Sequence, residues 1–223
     1  MGFGEGRCLI ELRNMFPDKK LELYGINNIK KGNMHSKKDF YNNAKELGID
    51  IKQTNLPTPF FYDVGKGLHF EDNYFDVVFS QVSIPYVGDK ITLFEEIWRT
   101  LKTEGKAFLH IDGEIKEGSP DFMYFKKDTP RFIIYNEKGK IISSINYFNK
   151  IREKGYDIKL FRQKTKKTNF LLTMHKNKDE KLDFNLVYDG TSTLYLTLLK
   201  ETDEYKTQSG IWWGTCSVYK IKK

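Results

Sequence analysis

The chain has 223 residues, 39% of them hydrophobic and 30% charged, a balance that predicts one large folded domain or one domain with an elaboration. No apolar run approaches the ~20 residues of a membrane-spanning helix, and two cysteines, Cys8 and Cys216, exclude a disulfide framework and a zinc site. We therefore expect a cytoplasmic protein without a metal. The net charge of +7 is typical of a lysine-rich solvated surface, and it also permits attraction to a phosphorylated or nucleic-acid partner.

The first predicted element is a glycine-rich turn, Gly2-Phe3-Gly4-Glu5-Gly6, followed by a helix that Pro17-Asp18 ends. The apolar residues Cys8, Leu12 and Met15 lie on one stripe of this helix. Glycines permit a sharp turn and let a ligand contact bare backbone, and a following helix directs free N–H groups at that ligand. The pattern is typical of a cofactor-binding corner of an α/β sheet; the alternative is a flexible amino terminus.

A strand over 21–26 and a helix that ends at Gly48 come next. The strand ends at Asn27, where nucleoside-binding folds place an acid that binds the ribose hydroxyls. Ser36 and Asp39 predict a capping box at the start of the helix. Residues 49–61 contain two prolines and predict a loop or broken strand, after which Asp63 is placed to face the same crevice.

In the next segment, predicted strands alternate with a predicted helix. A nearly apolar strand over 75–80 is typical of a parallel sheet covered on both faces. A helix over 89–101 follows, then a turn over 103–105 and a buried strand over 106–112. Strand, helix, strand, helix and strand in succession predict a doubly wound α/β sheet.

The carboxyl half is richer in strands. We expect a β-hairpin over 132–142, a helix over 143–154, and paired strands over 157–162 and 169–175. The basic cluster 162–167 is then the tip of the second hairpin. Three further strands are predicted over 184–188, 193–199 and 211–221. The fold class is a doubly wound, mostly parallel, Rossmann-like sheet with an antiparallel β-rich carboxyl-terminal elaboration, divided into a core at 1–112 and residues 113–223, which complete the sheet and add a region for substrate or oligomer contacts.

Four blocks, in order, resemble the class I S-adenosylmethionine-dependent methyltransferases, in particular the group that methylates small molecules. They are the glycine turn at 2–6, Asp63, Leu68–Val78 and Glu96–Gly105. The third is similar to the family's "LPFpDnsFDvV" block and the fourth to its "E-hxR-hLkpGG" block. The resemblance covers residues 1 to about 112. The family's first strand would precede Gly2, so we expect this core to lack it.

The resemblance implies S-adenosylmethionine as the cofactor. The residues it implicates in binding are Gly2, Gly4, Glu5, Gly6, Asn27, Asp63, Val64, Ser80 and Gln81. In this scheme the glycine turn cradles the methionine portion, Asn27 holds the ribose and Asp63 binds the adenine amino group. Ser80 and Gln81 lie at the methyl-donor end.

His110 ends the strand over 106–112, at the edge where open α/β sheets bind ligands, and is our candidate general base. The plainer alternative is a histidine that caps a strand. Asp112 is a second candidate. His35 and His69 are interpreted as loop and turn residues, and Trp212-Trp213 as core.

The expected reaction is methyl transfer to an oxygen or nitrogen of a small molecule, such as a sugar or a phosphorylated metabolite. A nicotinamide enzyme is disfavoured, because its fingerprint needs glycine where Arg7 stands. A base-methylating enzyme is disfavoured because Ser80–Tyr86 departs from the Asn-or-Asp-Pro-Pro-aromatic pattern. The remaining alternatives are an RNA or other nucleic-acid methyltransferase and a non-catalytic, methyltransferase-like binding protein. No membrane partner is expected, and a homo-oligomer stays open.

Overall fold

The computed structural model describes the chain with gaps. The described residues are 1–17, 20–28, 36–52, 55–81, 83–84, 87, 90–112, 132–136, 141–142, 144–162, 169–182, 194–198 and 218–221. They form two compact units, Met1–Val64 and Gly65–Lys223. No helix within these ranges is long and apolar enough to cross a membrane.

Unit 1 contains two helices and a two-stranded parallel sheet. Its elements are α1 (Arg7–Met15), β1 (Tyr24–Asn27), α2 (Lys37–Glu46) and β2 (Thr58–Phe61). Strand β1 runs parallel to β2, with Tyr24 opposite Thr58 and Asn27 opposite Phe61. The parallel pairing and the helix between the strands confirm the predicted α/β pattern in this part of the chain.

The buried face of α1 differs from the predicted one. The helix buries Leu9, Ile10 and Arg13, whereas Cys8 and Met15 are exposed. The reason is the partner of the helix: Leu9 lies against the backbone of Gly25 in β1, and the Arg13 guanidinium donates a hydrogen bond to the carbonyl of Leu21. The buried face of α1 therefore depends on contacts with the neighbouring strand and on the buried Arg13, and not on the spacing of apolar residues alone.

Helix α2 has the predicted ends. The backbone N–H of Ser36 donates to Asp39 Oδ2 at 2.7 Å, and the capping box is present. Such a pair satisfies N–H groups that have no partner within the helix. Gly48 follows the helix with φ of +69°, a left-handed conformation that glycine adopts without strain and that ends the helix.

Unit 2 contains two four-stranded sheets. The unit's elements are β3 (Phe75–Ser80), α3 (Lys90–Thr100), β4 (Leu101–Asp112), β5 (Phe132–Asn136), β6 (Ile141–Ile142), α4 (Ser144–Glu153), β7 (Asp157–Arg162), β8 (Asn169–His175), β9 (Leu194–Leu198) and β10 (Val218–Ile221). The first sheet has the strand order β3-β4-β8-β7 and the second β10-β9-β5-β6. Both predicted hairpins and both predicted helices are confirmed. The expected strand over 184–188, the tip residues 163–168 and Trp212-Trp213 lie outside the described residues.

The first sheet of unit 2 combines both strand directions. Strand β3 is parallel to β4, while β8 is antiparallel to β4 and to β7. Strand β4 begins at Leu101, earlier than predicted, but its register against β3 jumps from Phe75 opposite Leu101 to Val77 opposite Lys106. Glu104 within this irregularity has φ of +68°. The predicted turn over 103–105 is therefore a bulge inside one long strand.

One face of this sheet carries the core. Strand β4 alternates between buried Ala107 and Leu109 and the exposed Phe108. Among the side chains that the structure describes, the buried apolar ones of the two helices are Leu93, Phe94, Ile97 and Trp98 in α3 and Phe148 and Ile151 in α4. Within the part of the chain that the structure describes, Val77 is 55% exposed, so β3 is not buried on both faces as predicted. The mixed α/β architecture confirms the Rossmann-like fold class.

Candidate functional site

The glycine turn adopts a conformation that only glycine takes easily. Gly2, Gly4 and Gly6 have φ of +64°, +56° and +81°. Backbone hydrogen bonds hold two of them: the N–H of Gly2 donates to the carbonyl of Ile26 at 2.7 Å, and that of Gly6 donates to Phe3 at 2.8 Å. Three left-handed residues at alternate positions fold the segment into a compact loop. Glycine is needed at these positions because a residue with a Cβ would be strained there.

The loop leads into an uncapped helix end. Gly6 is the N-cap of α1, and no side chain of the described residues caps the first turn. The first N–H groups of a helix have no partner within it, and they carry the positive end of its dipole. A Cβ added at Gly4 would meet no atom within 4 Å, so space is open beside the loop. The loop thus fits a ligand that is bound by bare backbone and accepts hydrogen bonds.

Two asparagine amides support this loop from inside unit 1. Asn27, the last residue of β1, bonds both polar groups of Gly4: the Gly4 N–H donates to Oδ1 at 3.2 Å, and Nδ2 donates to the Gly4 carbonyl at 3.1 Å. Asn43 of α2 is buried and donates from Nδ2 to the carbonyl of Glu5 at 2.9 Å. The sequence singled out Asn27 for the ribose rather than for this contact, and it gave no indication of Asn43, since an asparagine within a helix carries no distinctive signal.

Asp63 and Val64 follow β2 at the end of unit 1. Both are half-buried, and Val64 begins a 3₁₀ turn, Val64–Lys66. The N–H of Tyr62 donates to the carbonyl of Asn27 at 2.9 Å, so the segment before Asp63 continues the pairing of β1 and β2. Within unit 1, Asn27 and Asp63 therefore follow neighbouring parallel strands at the same edge of the sheet.

Ser80 and Gln81 belong to unit 2, at the end of β3. Ser80 is buried, and its hydroxyl lies within hydrogen-bond distance of the Ser83 hydroxyl. Gln81 is exposed. The partly buried hydroxyl pair stabilises the chain where it leaves the strand, while the neighbouring amide side chain of Gln81 is accessible.

His110 lies in the second half of β4, opposite Leu171 of β8. By alternation along the strand it shares a face with the exposed Phe108 rather than with the buried Leu109. Its Nδ1 atom is buried and has no hydrogen-bond partner among the residues that the structure describes. Asp112 ends the same strand, His69 is exposed, and His35 lies outside the described residues.

A network around Arg99 explains the third and fourth sequence blocks. Arg99 of α3 donates to both carboxylate oxygens of Glu96 at 2.7 Å, to Asp72 Oδ1 at 2.5 Å, and to the carbonyls of Leu68 and Phe70. Glu96 in turn accepts the N–H of Leu68 at 2.9 Å. The hydrogen bonds from Arg99 are the main cause of a lowered pKa at Glu96, assisted by the Leu68 N–H and opposed by burial. The two blocks therefore hold one loop onto one helix.

No group of three or more histidine, cysteine, aspartate or glutamate side chains suits a metal ion in the described ranges.

Comparison with known proteins places these features in a family. Residues 1–109 match the profile of a family described as "Methyltransferase domain". No protein of curated function gives a significant sequence match. The fold defines the class, a Rossmann-like α/β protein. Within that class, the match over residues 1–109, just under half of the chain, supports a class I S-adenosylmethionine-dependent methyltransferase.

Comparison with solved structures finds methyltransferases at low sequence identity. A candidate S-adenosylmethionine-dependent methyltransferase from Listeria monocytogenes is 12% identical with a TM-score of 0.50, over 80% of this chain and 89% of that one. A Burkholderia thailandensis 1,6-didemethyltoxoflavin-N1-methyltransferase with bound S-adenosylhomocysteine is 12% identical with a TM-score of 0.45, over 79% and 69%. A candidate sarcosine dimethylglycine methyltransferase from Galdieria sulphuraria is 20% identical with a TM-score of 0.41, over 53% of this chain and 40% of that protein. The chain thus spans about two fifths of that relative.

Proposed function

We propose that the chain transfers a methyl group from S-adenosylmethionine to an oxygen or nitrogen of a small-molecule acceptor, such as a sugar or a phosphorylated metabolite. The observation that carries the proposal is the glycine loop: three left-handed glycines pinned by backbone and amide hydrogen bonds before an uncapped helix, inside the segment that matches the methyltransferase family. When bound, S-adenosylmethionine supplies a methyl group already activated by its sulfonium. Positioning of the reactants is then the main task of the protein.

The residues of unit 1 suit the binding of the cofactor. The loop at 2–6 and the first turn of α1 offer backbone N–H groups to the methionine portion, and Asp63 offers a carboxylate to the adenine amino group. Val64 supplies apolar contact beside it. Ser80 and Gln81 are assigned to the methyl-donor end in this proposal, with Gln81 as the accessible side chain of the two.

His110 is proposed as the general base. An acceptor hydroxyl must lose its proton as the new bond to carbon forms, and an imidazole nitrogen is the side-chain group best suited to accept it near neutral pH. The support is the buried Nδ1, which has no hydrogen-bond partner among the described residues, and the position of His110 on the same face of β4 as the exposed Phe108. An amine acceptor that is already neutral would need no base. The size of the rate loss on substitution of His110 would therefore also distinguish an oxygen acceptor from a nitrogen acceptor.

The test of the proposed cofactor is titration of the full chain with S-adenosylhomocysteine by calorimetry. We expect saturable binding at one site, and Gly4→Val should abolish it, because a β-branched residue is strained at φ of +56°. Gly48→Val, with the same strain at a helix end away from the loop, is the matched control and should leave binding unchanged. Absence of binding by the unaltered chain would favour the non-catalytic alternative.

The test of the general base compares turnover with binding. His110→Gln should reduce methylation of a hydroxyl acceptor by about 10²–10⁴-fold while leaving the affinity for S-adenosylhomocysteine unchanged. His69→Gln alters an exposed histidine and serves as the control. Full activity of His110→Gln would remove His110 from the mechanism. Methylation of RNA in preference to small acceptors, with steep salt dependence, would instead support the nucleic-acid alternative.

A further inference from the structure

Asn27 stands where nucleoside-binding folds place a ribose-binding acid, yet its side chain is turned to a different partner. Oδ1 accepts the N–H of Gly4 at 3.2 Å, and Nδ2 donates to the carbonyl of the same residue at 3.1 Å. One amide thus satisfies both polar groups of one loop residue. We propose that Asn27 is the positioning residue of the glycine loop rather than a ligand of the ribose, an inference that rests on the proposed function for the identity of the bound cofactor.

The chemistry of the contact requires an amide. An asparagine side chain carries both a donor and an acceptor, whereas an ionised carboxylate only accepts. An aspartate at 27 could accept the Gly4 N–H, but its second oxygen would face the Gly4 carbonyl and repel it. A flipped asparagine would oppose donor to donor and acceptor to acceptor, so the bond pair also fixes the orientation of the amide. Asparagine, and not the usual acid, therefore supplies the donor and the acceptor that the two polar groups of Gly4 require.

The contact acts where the loop has little other support. Gly4 is the central of the three left-handed glycines, with open space beside it, and its N–H and carbonyl are held by a side chain from β1. The neighbouring bonds, from Gly2 to Ile26 and from Asn43 to Glu5, hold the residues on either side. With all three in place, the loop has its shape before a ligand arrives, and the ordering cost on binding is reduced.

A cycle that combines protein and ligand changes separates the two roles. We would titrate the full chain and its Asn27→Ala variant with S-adenosylhomocysteine and with its 2′-deoxy and 3′-deoxy forms. A positioning residue predicts that Asn27→Ala weakens all three ligands by the same factor, about tenfold for the loss of two hydrogen bonds. A ribose ligand predicts that the factor disappears when the contacted hydroxyl is absent, and this result would overturn the proposal.

The Asn27→Asp variant gives an independent answer. A ribose-binding position should tolerate or prefer the acid, and affinity at or above that of the unaltered chain would contradict our inference. A positioning role predicts weaker binding than in Asn27→Ala at neutral pH. Protonation of the carboxyl restores a donor, so we expect the deficit of Asn27→Asp to shrink as the pH falls from 6 to about 4, near the ordinary pKa of an aspartate, while that of Asn27→Ala stays constant. Asn42→Ala, at an exposed position of α2, is the control.

Amide hydrogen exchange in the unliganded chain tests the role of Asn27 independently of the proposed cofactor. In the unliganded full chain, Asn27→Ala should accelerate exchange of the Gly4 amide about tenfold and leave the amides of α2 unchanged. Unchanged exchange at Gly4 would overturn the positioning role even if the cofactor binds. Conversely, if the unaltered chain binds no S-adenosylhomocysteine but the Gly4 amide still responds, the cofactor proposal fails and the role of Asn27 as the support of the loop stands.

Discussion

Single residues decide the local geometry of both units. Glycine has two different uses in this chain. At 2, 4 and 6 it permits left-handed backbone, whereas at 25 and 105 it permits close approach. A Cβ at Gly25 would lie 2.5 Å from a ring atom of Phe3, which is a side chain that can move. A Cβ at Gly105 would meet backbone instead, which cannot move without breaking strand pairing.

Gly105→Ala should lower the free energy of unfolding by about 2 kcal/mol, the usual cost of overpacking. The new Cβ would lie 2.7 Å from the carbonyl oxygen of Lys102 and 3.0 Å from that of Phe75. Chemical denaturation followed by circular dichroism measures the change. Gly48→Asn is the control, because asparagine tolerates a left-handed φ and a Cβ there meets no atom within 4 Å. Equal stability of the two variants would contradict the prediction.

Glu96 makes stability depend on acid pH. Hydrogen bonds from Arg99 lower its pKa in the folded state, so ionised Glu96 stabilises the fold above the unfolded pKa of about 4.3. That contribution is lost as pH falls through the lower, folded pKa. Glu96→Gln should therefore reduce stability at pH 7 and flatten its decline between pH 5 and pH 3. Denaturant titrations across this range measure it; Glu46→Gln, at an exposed position, should behave as the unaltered chain does.

At the scale of elements, the bulge in β4 is held by the end of β8. The N–H of Glu104 donates to the carbonyl of Lys176 at 2.8 Å, and the N–H of Lys176 donates to the carbonyl of Gly105 at 2.9 Å. The ring of His175 lies between Glu104 and Asp157 of β7, at 2.9 and 3.2 Å. Three strands are thus tied together at the point where the register against β3 shifts.

Lys176→Met tests this junction. The lysine side chain is only 3% exposed, and its ammonium donates to Asn73 Oδ1 at 2.7 Å, to the carbonyl of Arg99 at 3.3 Å, and pairs with Asp179 at 2.9 Å. Methionine fills the space but gives up the ion pair and both hydrogen bonds of the buried ammonium, so unfolding should become easier by about 2 kcal/mol. Lys102→Met removes an exposed pair with Asp76 and should cost less than about 0.5 kcal/mol. Similar losses in denaturation experiments would refute a special role for Lys176.

At the scale of the whole molecule, the net charge of +7 does not by itself select a partner. Apart from Arg162, the last residue of β7, the basic cluster at 162–167 lies outside the described residues. The specific features are instead the glycine loop and the family match over 1–109. They favour a nucleoside cofactor held by backbone over a polyanion held by surface charge.

Ligand-dependent stabilisation of the full chain tests this choice. S-adenosylhomocysteine at 100 times its dissociation constant should stabilise the folded state by about 2.7 kcal/mol, because it binds only that state. NAD at the same concentration should give no stabilisation, since Arg7 occupies the position that a dinucleotide fingerprint reserves for glycine. Thermal unfolding followed by fluorescence measures both. Stabilisation by NAD equal to that by S-adenosylhomocysteine would refute the assignment of the site.

The sequence by itself determined the elements and the family. Periodicity and turn residues located α2, β3, α3 and the pair β7–β8, because helix caps and apolar runs are local signals. The four short blocks indicated the methyltransferase class before any contact was known, since four motifs in the order typical of that class are more specific than any one of them.

Only the tertiary structure decided which faces and which partners those elements use. The buried stripe of α1 follows the neighbouring strand, the turn at 103–105 is a bulge because β8 pairs with it, and Asn27 bonds to a loop residue 23 positions away. Each of these depends on residues that are distant in sequence and adjacent in space. Hydrogen-bond partners and packing neighbours across such distances leave no periodic trace in a single chain, and they emerge only when the strands are paired.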